Sequence, residues 1–124
     1  MGKKSSNWYK RHVSDEFVKK ANKENWRSRA VFKLKEIDTK YDLIKKKSNI
    51  LDLGAAPGGW SQYAAKKHQD IRITSVDILK MEDIHNVNFV QMKIEDFEEN
   101  FLKNHNFDKI DLVMSDIAPN ISGI

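Results

Sequence analysis

Between Asp52 and Trp60 the chain reads Asp-Leu-Gly-Ala-Ala-Pro-Gly-Gly-Trp, a nine-residue stretch with three glycines and two alanines. So few side chains let the backbone approach a ligand closely, and open α/β sheets bind their ligands at the carboxyl ends of strands. No Lys-Ser/Thr pair follows the glycines, so the turn is not a phosphate-cradling P-loop. Gly54, Gly58 and Gly59 also miss the G-x-G-x-x-G spacing that suits a dinucleotide pyrophosphate. Asp77 stands 23 residues after Gly54. A carboxylate at the end of a second strand accepts both ribose hydroxyls of an adenosine, in NAD or in S-adenosylmethionine alike.

The elements that must position these groups alternate. The run Ser28-Arg29-Ala30-Val31-Phe32-Lys33-Leu34 predicts a helix with Ala30, Val31, Leu34 and Ile37 on one face. Ser28 is the expected N-cap, which puts Lys33 in the second turn, off the apolar stripe. Ile50–Leu53, bounded by Gly54, reads as a buried parallel-type strand. Trp60–His68 follows as a helix, Ile71–Ile78 as a second strand and Asn88–Met92 as a third. Glu95–Asn104 is expected to be helical, and Lys109–Asp116 to be a fourth strand closed by Ala118-Pro119-Asn120. That order predicts a doubly wound α/β sheet. The sequence stops at Ile124 with no helix expected after the fourth strand.

Composition bounds the rest. The 124 residues are 40% hydrophobic and suit one small domain. With no cysteine there are no disulfides, thiolate zinc sites or cysteine nucleophiles. His12, His68, His85 and His105 show no ligand pairing, and no metal is expected. No apolar stretch approaches a membrane span, and Met1–Ser6 lacks the apolar core of a secretory signal. A soluble, cytoplasmic protein is expected. The net charge of +4 divides unevenly: residues 1–49 carry 15 Lys/Arg against 6 Asp/Glu, residues 50–124 carry 7 against 12. Trp8, Tyr9, Phe17 and Trp26 lie among the cations of the basic half. Aromatic faces stack on bases while cations track phosphates. Residues 1–27 read as a basic arm, mobile over 1–14, that is either RNA-binding or a solvated Lys-rich tail, ahead of a domain over 28–124.

Three segments together resemble one family. Asp52–Tyr63, reading Asp-Leu-Gly-Ala-Ala-Pro-Gly-Gly-Trp-Ser-Gln-Tyr, is similar to the first motif of the FtsJ/RrmJ-type RNA 2′-O-methyltransferases. Ser28–Leu34 resembles their S-R-A-x-F-K-L segment, and Met114–Gly123 their S-D-[IM]-A-P-N-x-S-G motif. Asn120 after Pro119 matches the branch that methylates a uridine ribose in bacterial large-subunit ribosomal RNA; tRNA-methylating relatives usually carry Asp there. The resemblance covers nearly the whole chain, in the family's order.

The resemblance implies a Rossmann-like, S-adenosylmethionine-dependent methyltransferase fold, truncated after its fourth strand. Gly58 and Trp60 would border S-adenosylmethionine, Asp77 would hold its ribose, and Asp116 would lie beside both methyl donor and attacking hydroxyl. A third acidic contact, to the adenine, sits in a G-D-F segment of the family. Here Met92-Lys93-Ile94-Glu95-Asp96-Phe97 stands instead. Asp96 before Phe97 is the expected counterpart, at the expense of an insertion; ungapped pairing lands on Lys93. The family's catalytic set is Lys-Asp-Lys-Glu. Lys33 matches the first and Asp116 the second, while the second Lys, taken as the base, and the Glu lie in the family's later half, which this sequence does not contain.

A ribose hydroxyl is a poor nucleophile at neutral pH, and an Asp–Lys pair can assist loss of its proton. Ribosomal RNA within the large subunit is the implied partner. Lacking the later half, this chain alone is expected not to transfer a methyl group. The alternative is a non-catalytic RNA- or cofactor-binding fragment; an NAD-linked oxidoreductase is disfavoured by the glycine spacing.

Overall fold

A computed structural model describes residues 15–98 and 110–117. Residues 15–23 are helical (α1), followed by α2 (Val31–Tyr41), β1 (Asn49–Leu53), α3 (Gly59–Lys67), β2 (Arg72–Asp77) and β3 (Val87–Gln91). Residues 94–98 form a helical turn (α4), and β4 (Leu112–Ser115) completes the described elements. The expected mobile arm over 1–14, the far part of the Glu95–Asn104 helix and the Ala118-Pro119-Asn120 turn lie outside the described residues.

The four strands form one parallel sheet in the order β3-β2-β1-β4. From β1 the chain winds one way through β2 and β3, then returns to place β4 on the other side of β1. The winding reverses between β1 and β4, and such a reversal opens a crevice at the strands' carboxyl ends. The doubly wound sheet expected from the sequence is therefore present, with each strand within a few residues of its expected bounds.

Both sheet faces are covered, which is why β1 reads as a continuous buried run. On one face Leu34, Ile44, Ile50, Trp60, Ala64, Ile71, Ile73 and Met114 pack together. On the other, Leu51, Val76 and Phe97 form a smaller cluster bordered by Met92 and Ile94.

Two features differ from the sequence reading. Helix α2 begins at Val31 with Ala30 as its N-cap and no side-chain cap. Ser28 instead shapes the preceding turn: its Oγ accepts from the Ala30 N–H at 3.1 Å, and its carbonyl accepts from the Val31 N–H. Phe32 and Lys33 donate three residues back, to Arg29 and Ala30, so the entry is tightly wound. Lys33 thus sits in the first helical turn, not the second. Helix α1 was not expected. Only Ala21 is buried in it, while Phe17 and Val18 stay 42% and 43% exposed, too thin an apolar stripe to read in a Lys-rich segment.

Candidate active site

The turn from β1 into α3 is drawn tight against its neighbours. Gly54 has φ +72°, and a Cβ there would run into the Ile117 side chain just beyond β4. Gly58 has φ +113°, and a Cβ would come within 2.9 Å of Met81 Sδ. Both positions need glycine for conformation and for room. The N–H groups of Gly54 and Ala55 donate to the Val76 carbonyl. The Asp77 carboxylate closes the arrangement, accepting from the Ala56 N–H at 2.9 Å through Oδ2 and from the Leu79 N–H at 2.8 Å through Oδ1. Each carboxylate oxygen has a second lone pair to offer.

Gly54 and Asp77 border a cavity of about 560 Å³, together with Ile78, Lys93, Ile94, Glu95 and Ile117. That is within the roughly 300–1,000 Å³ of small-molecule sites. Lys93 and Glu95 reach the cavity, whereas Asp96 is exposed and does not line it. Successive helical side chains diverge by about 100°, so neighbours in sequence face differently. Trp60 does not line this cavity either. Its indole is 8% exposed within the core, and its Nε1 donates to the Ala30 carbonyl at 2.7 Å, tying α3 to the start of α2. Gly58 lies on the turn between that tie and Met81.

A second cleft, of about 510 Å³, is lined by Lys33, Asp116, Phe17, Phe32, Arg29 and Glu36, with Ser28 and Ala30 behind them. Lys33 Nζ lies 3.3 Å from Asp116 Oδ1, joining residues 83 apart in sequence. The two side chains are 66% and 34% exposed, so the pair is open to a substrate. Asp116 faces this cleft while the next residue, Ile117, lines the first. The end of β4 separates two neighbouring sites.

Asp52, the penultimate residue of β1, is 2% exposed. It accepts from Ser61 Oγ at 2.6 Å, and Ser61 also meets Ser75 Oγ, so a buried polar chain links β1, α3 and β2. Burial pushes the Asp52 carboxyl up to about 6; the Ser61 hydrogen bonds oppose this and the nearby charges of Asp116 and Asp77 add to it. The sequence places Asp52 in a buried strand but gives no sign of its Ser61 and Ser75 partners.

The segment ahead of α2 is stitched to the site. Arg27 donates through its guanidinium to the carbonyls of Pro57 (3.2 Å), Glu82 (2.6 Å) and Asp83 (2.7 Å). Its N–H donates to Gln62 Oε1, and Gln62 Nε2 donates back to the Asn25 carbonyl. Arg27 thereby clamps the glycine turn to the loop after Asp77. Among the described residues no His, Asp and Glu group is placed to hold a metal ion, and no helix is long and apolar enough to cross a membrane.

A parallel sheet with a ligand crevice at its winding reversal, a glycine turn and a Lys–Asp pair beside it define a methyltransferase-type α/β domain. A family profile described as FtsJ-like methyltransferase matches residues 26–124, and the chain belongs to that family. It is 46% identical over 127 residues to the ribosomal RNA large subunit methyltransferase E of Legionella pneumophila (strain Corby), and 44% identical over 124 residues to that of Hydrogenovibrio crunogenus. Each alignment covers 98% of this chain and 60% of the relative, so the chain spans about 60% of the length of these proteins. A solved ribosomal RNA methyltransferase from Plasmodium falciparum superposes with a TM-score of 0.66 at 33% identity, covering 80% of this chain and 60% of that one.

Proposed function

We propose that the protein, at the length of its relatives, transfers the methyl group of S-adenosylmethionine to a ribose 2′-hydroxyl, of a uridine, in large-subunit ribosomal RNA. The observation that carries this reading is the division at the end of β4, where Asp116 faces the Lys33 cleft and Ile117 faces the Asp77 cavity. A donor in one site and an acceptor in the other would meet at that strand end.

The residues suit the donor. S-adenosylmethionine supplies an already activated sulfonium methyl. Asp77 has acceptor capacity for ribose hydroxyls, Gly54 leaves the backbone open at the cavity, and the carboxylates of Asp52, Asp77 and Asp116 give a negative field that favours a cation. Gly58 and Trp60 do not line this cavity and would serve the donor only by shaping the turn that does. At the adenine, Glu95 and Lys93 are better placed than Asp96, because they line the cavity.

On the acceptor side, Lys33 and Asp116 hold each other and orient the hydroxyl for in-line attack, which is a positioning contribution. The family's second lysine and glutamate, in the remaining length of the relatives, would assist loss of the proton. The basic segment before α2 would hold the RNA, and this reading places the protein in the cytoplasm with the large ribosomal subunit.

Radiolabelled methyl transfer to large ribosomal subunits tests it. Full-length protein should label the ribosomal RNA on a ribose, and Lys33→Ala or Asp116→Ala should each lower the rate by around 10²–10⁴-fold. Labelling of a base, undiminished transfer by both variants, or preferential binding of NAD would overturn the reading.

A further inference from the structure

Phe17 is a large aromatic left 42% exposed on a helix that also carries Lys19, Lys20 and Lys23. Its recorded ring neighbour is Phe32 on α2, with centroids 5.8 Å apart and planes tilted by 37°. Lys20 Nζ lies 4.9 Å from the centre of the Phe32 ring. Both phenylalanines line the same cleft as Lys33 and Asp116.

We propose that Phe17 and Phe32 form the platform on which the base of the target nucleotide stacks while its ribose lies at Lys33 and Asp116. The inference rests on the methyltransferase reading above and adds the site that receives the base. Three observations converge. Aromatic rings among cations are what an unpaired nucleotide needs, because every base has a π-face and every phosphate a charge. Phe17, Phe32, Lys33 and Asp116 line one cleft, so a base on the platform has its sugar beside the ion pair. The cleft, about 510 Å³, is of a size that takes one nucleotide. Stacking is indifferent to base identity, so the platform fixes position rather than sequence.

The test compares intact large ribosomal subunits with subunits whose mapped target nucleotide keeps its ribose but lacks its base. Wild-type full-length protein should lose roughly 5- to 100-fold in kcat/KM on the abasic target. Phe17→Leu and Phe32→Leu should lose a similar factor on intact subunits and little more on abasic ones, so their preference for a base shrinks. Phe17→Tyr should restore it. Affinity for S-adenosylmethionine, measured by calorimetry, should stay at the wild-type value in all three, which separates stacking from a damaged fold. Equal wild-type rates on intact and abasic targets would overturn the platform without touching the activity, and so would Leu variants that discriminate as the wild type does. No ribose methylation of intact subunits by the wild type would overturn the underlying reading instead.

Discussion

A carboxylate buried as deeply as Asp52 holds its proton longer than an exposed one, and its titration should show in the stability of the fold. Its folded-state value of about 6 lies above the ordinary aspartate value of 3.8, so the folded state binds this proton more tightly than the unfolded chain. The resulting stability is fully present below about pH 4 and is lost as pH rises towards 6, by up to about 3 kcal/mol. Unfolding measured from pH 4 to 8 should show the wild type losing ground to Asp52→Asn across that window, then running parallel to it; a constant offset would contradict this. Asp77→Ala should weaken S-adenosylmethionine binding roughly tenfold to a hundredfold by calorimetry, since two ribose hydroxyls lose their acceptor. Unchanged affinity would remove Asp77 from the site. At this scale legibility was uneven. Lys33 and Asp116 could be picked out because their roles depend on short motifs, and the structure brings them together. The difference between Glu95 and Asp96 could not, because it depends on the rotational phase of α4, which a shift of one residue reverses.

At the level of elements, the basic segment has two parts with different physics. From Asn25 onward it is bound into the domain by Arg27, Gln62 and the Trp60–Ala30 contact. Among the described residues before Asn25, Lys19, Lys20 and Lys23 take no part in this clamp. Removing residues 1–14 takes away Lys3, Lys4, Lys10 and Arg11, and changing Lys19, Lys20 and Lys23 to Gln takes away three more charges while keeping Ala21 in place. Binding to ribosomal RNA should weaken, and the slope of log affinity against log salt should flatten by roughly one unit per lost phosphate contact. An unaltered slope would make the segment a solvated tail. The clamp itself left no trace in the sequence. An arginine that donates to three carbonyls on two distant loops looks, in a row of cations, like any other.

Over the whole molecule, the sheet was the most legible part, because strands buried on both faces read as apolar runs bounded by glycine and charge. The doubly wound class came from the alternation of elements and from topological rules rather than from any single residue, while the order β3-β2-β1-β4 is supplied by the structure. What pattern could not supply was how the two clefts lie on either side of the β4 end, since that depends on where the Gly54 turn presses on Ile117. If the family's second lysine and glutamate are needed, the 124 residues alone should bind S-adenosylmethionine yet transfer no methyl group to large subunits in the radiolabel assay. Clear turnover by this chain would require one of its own residues to serve as the base.

The strand order also dictates when the site comes into being. Partners in β2 and β3 stand 14 residues apart (Ile73 and Val87), and those in β1 and β2 stand 23 apart (Ile50 and Ile73). Those in β1 and β4 stand 62 apart (Ile50 and Leu112). Closing the longest loop costs about 0.9 kcal/mol more than closing the middle one, and β4 leaves the ribosome after the other three described strands. Lys33 is made 83 residues before the aspartate it pairs with. At typical synthesis rates that is a wait on the order of ten seconds. A growing chain of this kind has its glycine turn and its Asp77 early, and its ion pair only when β4 docks.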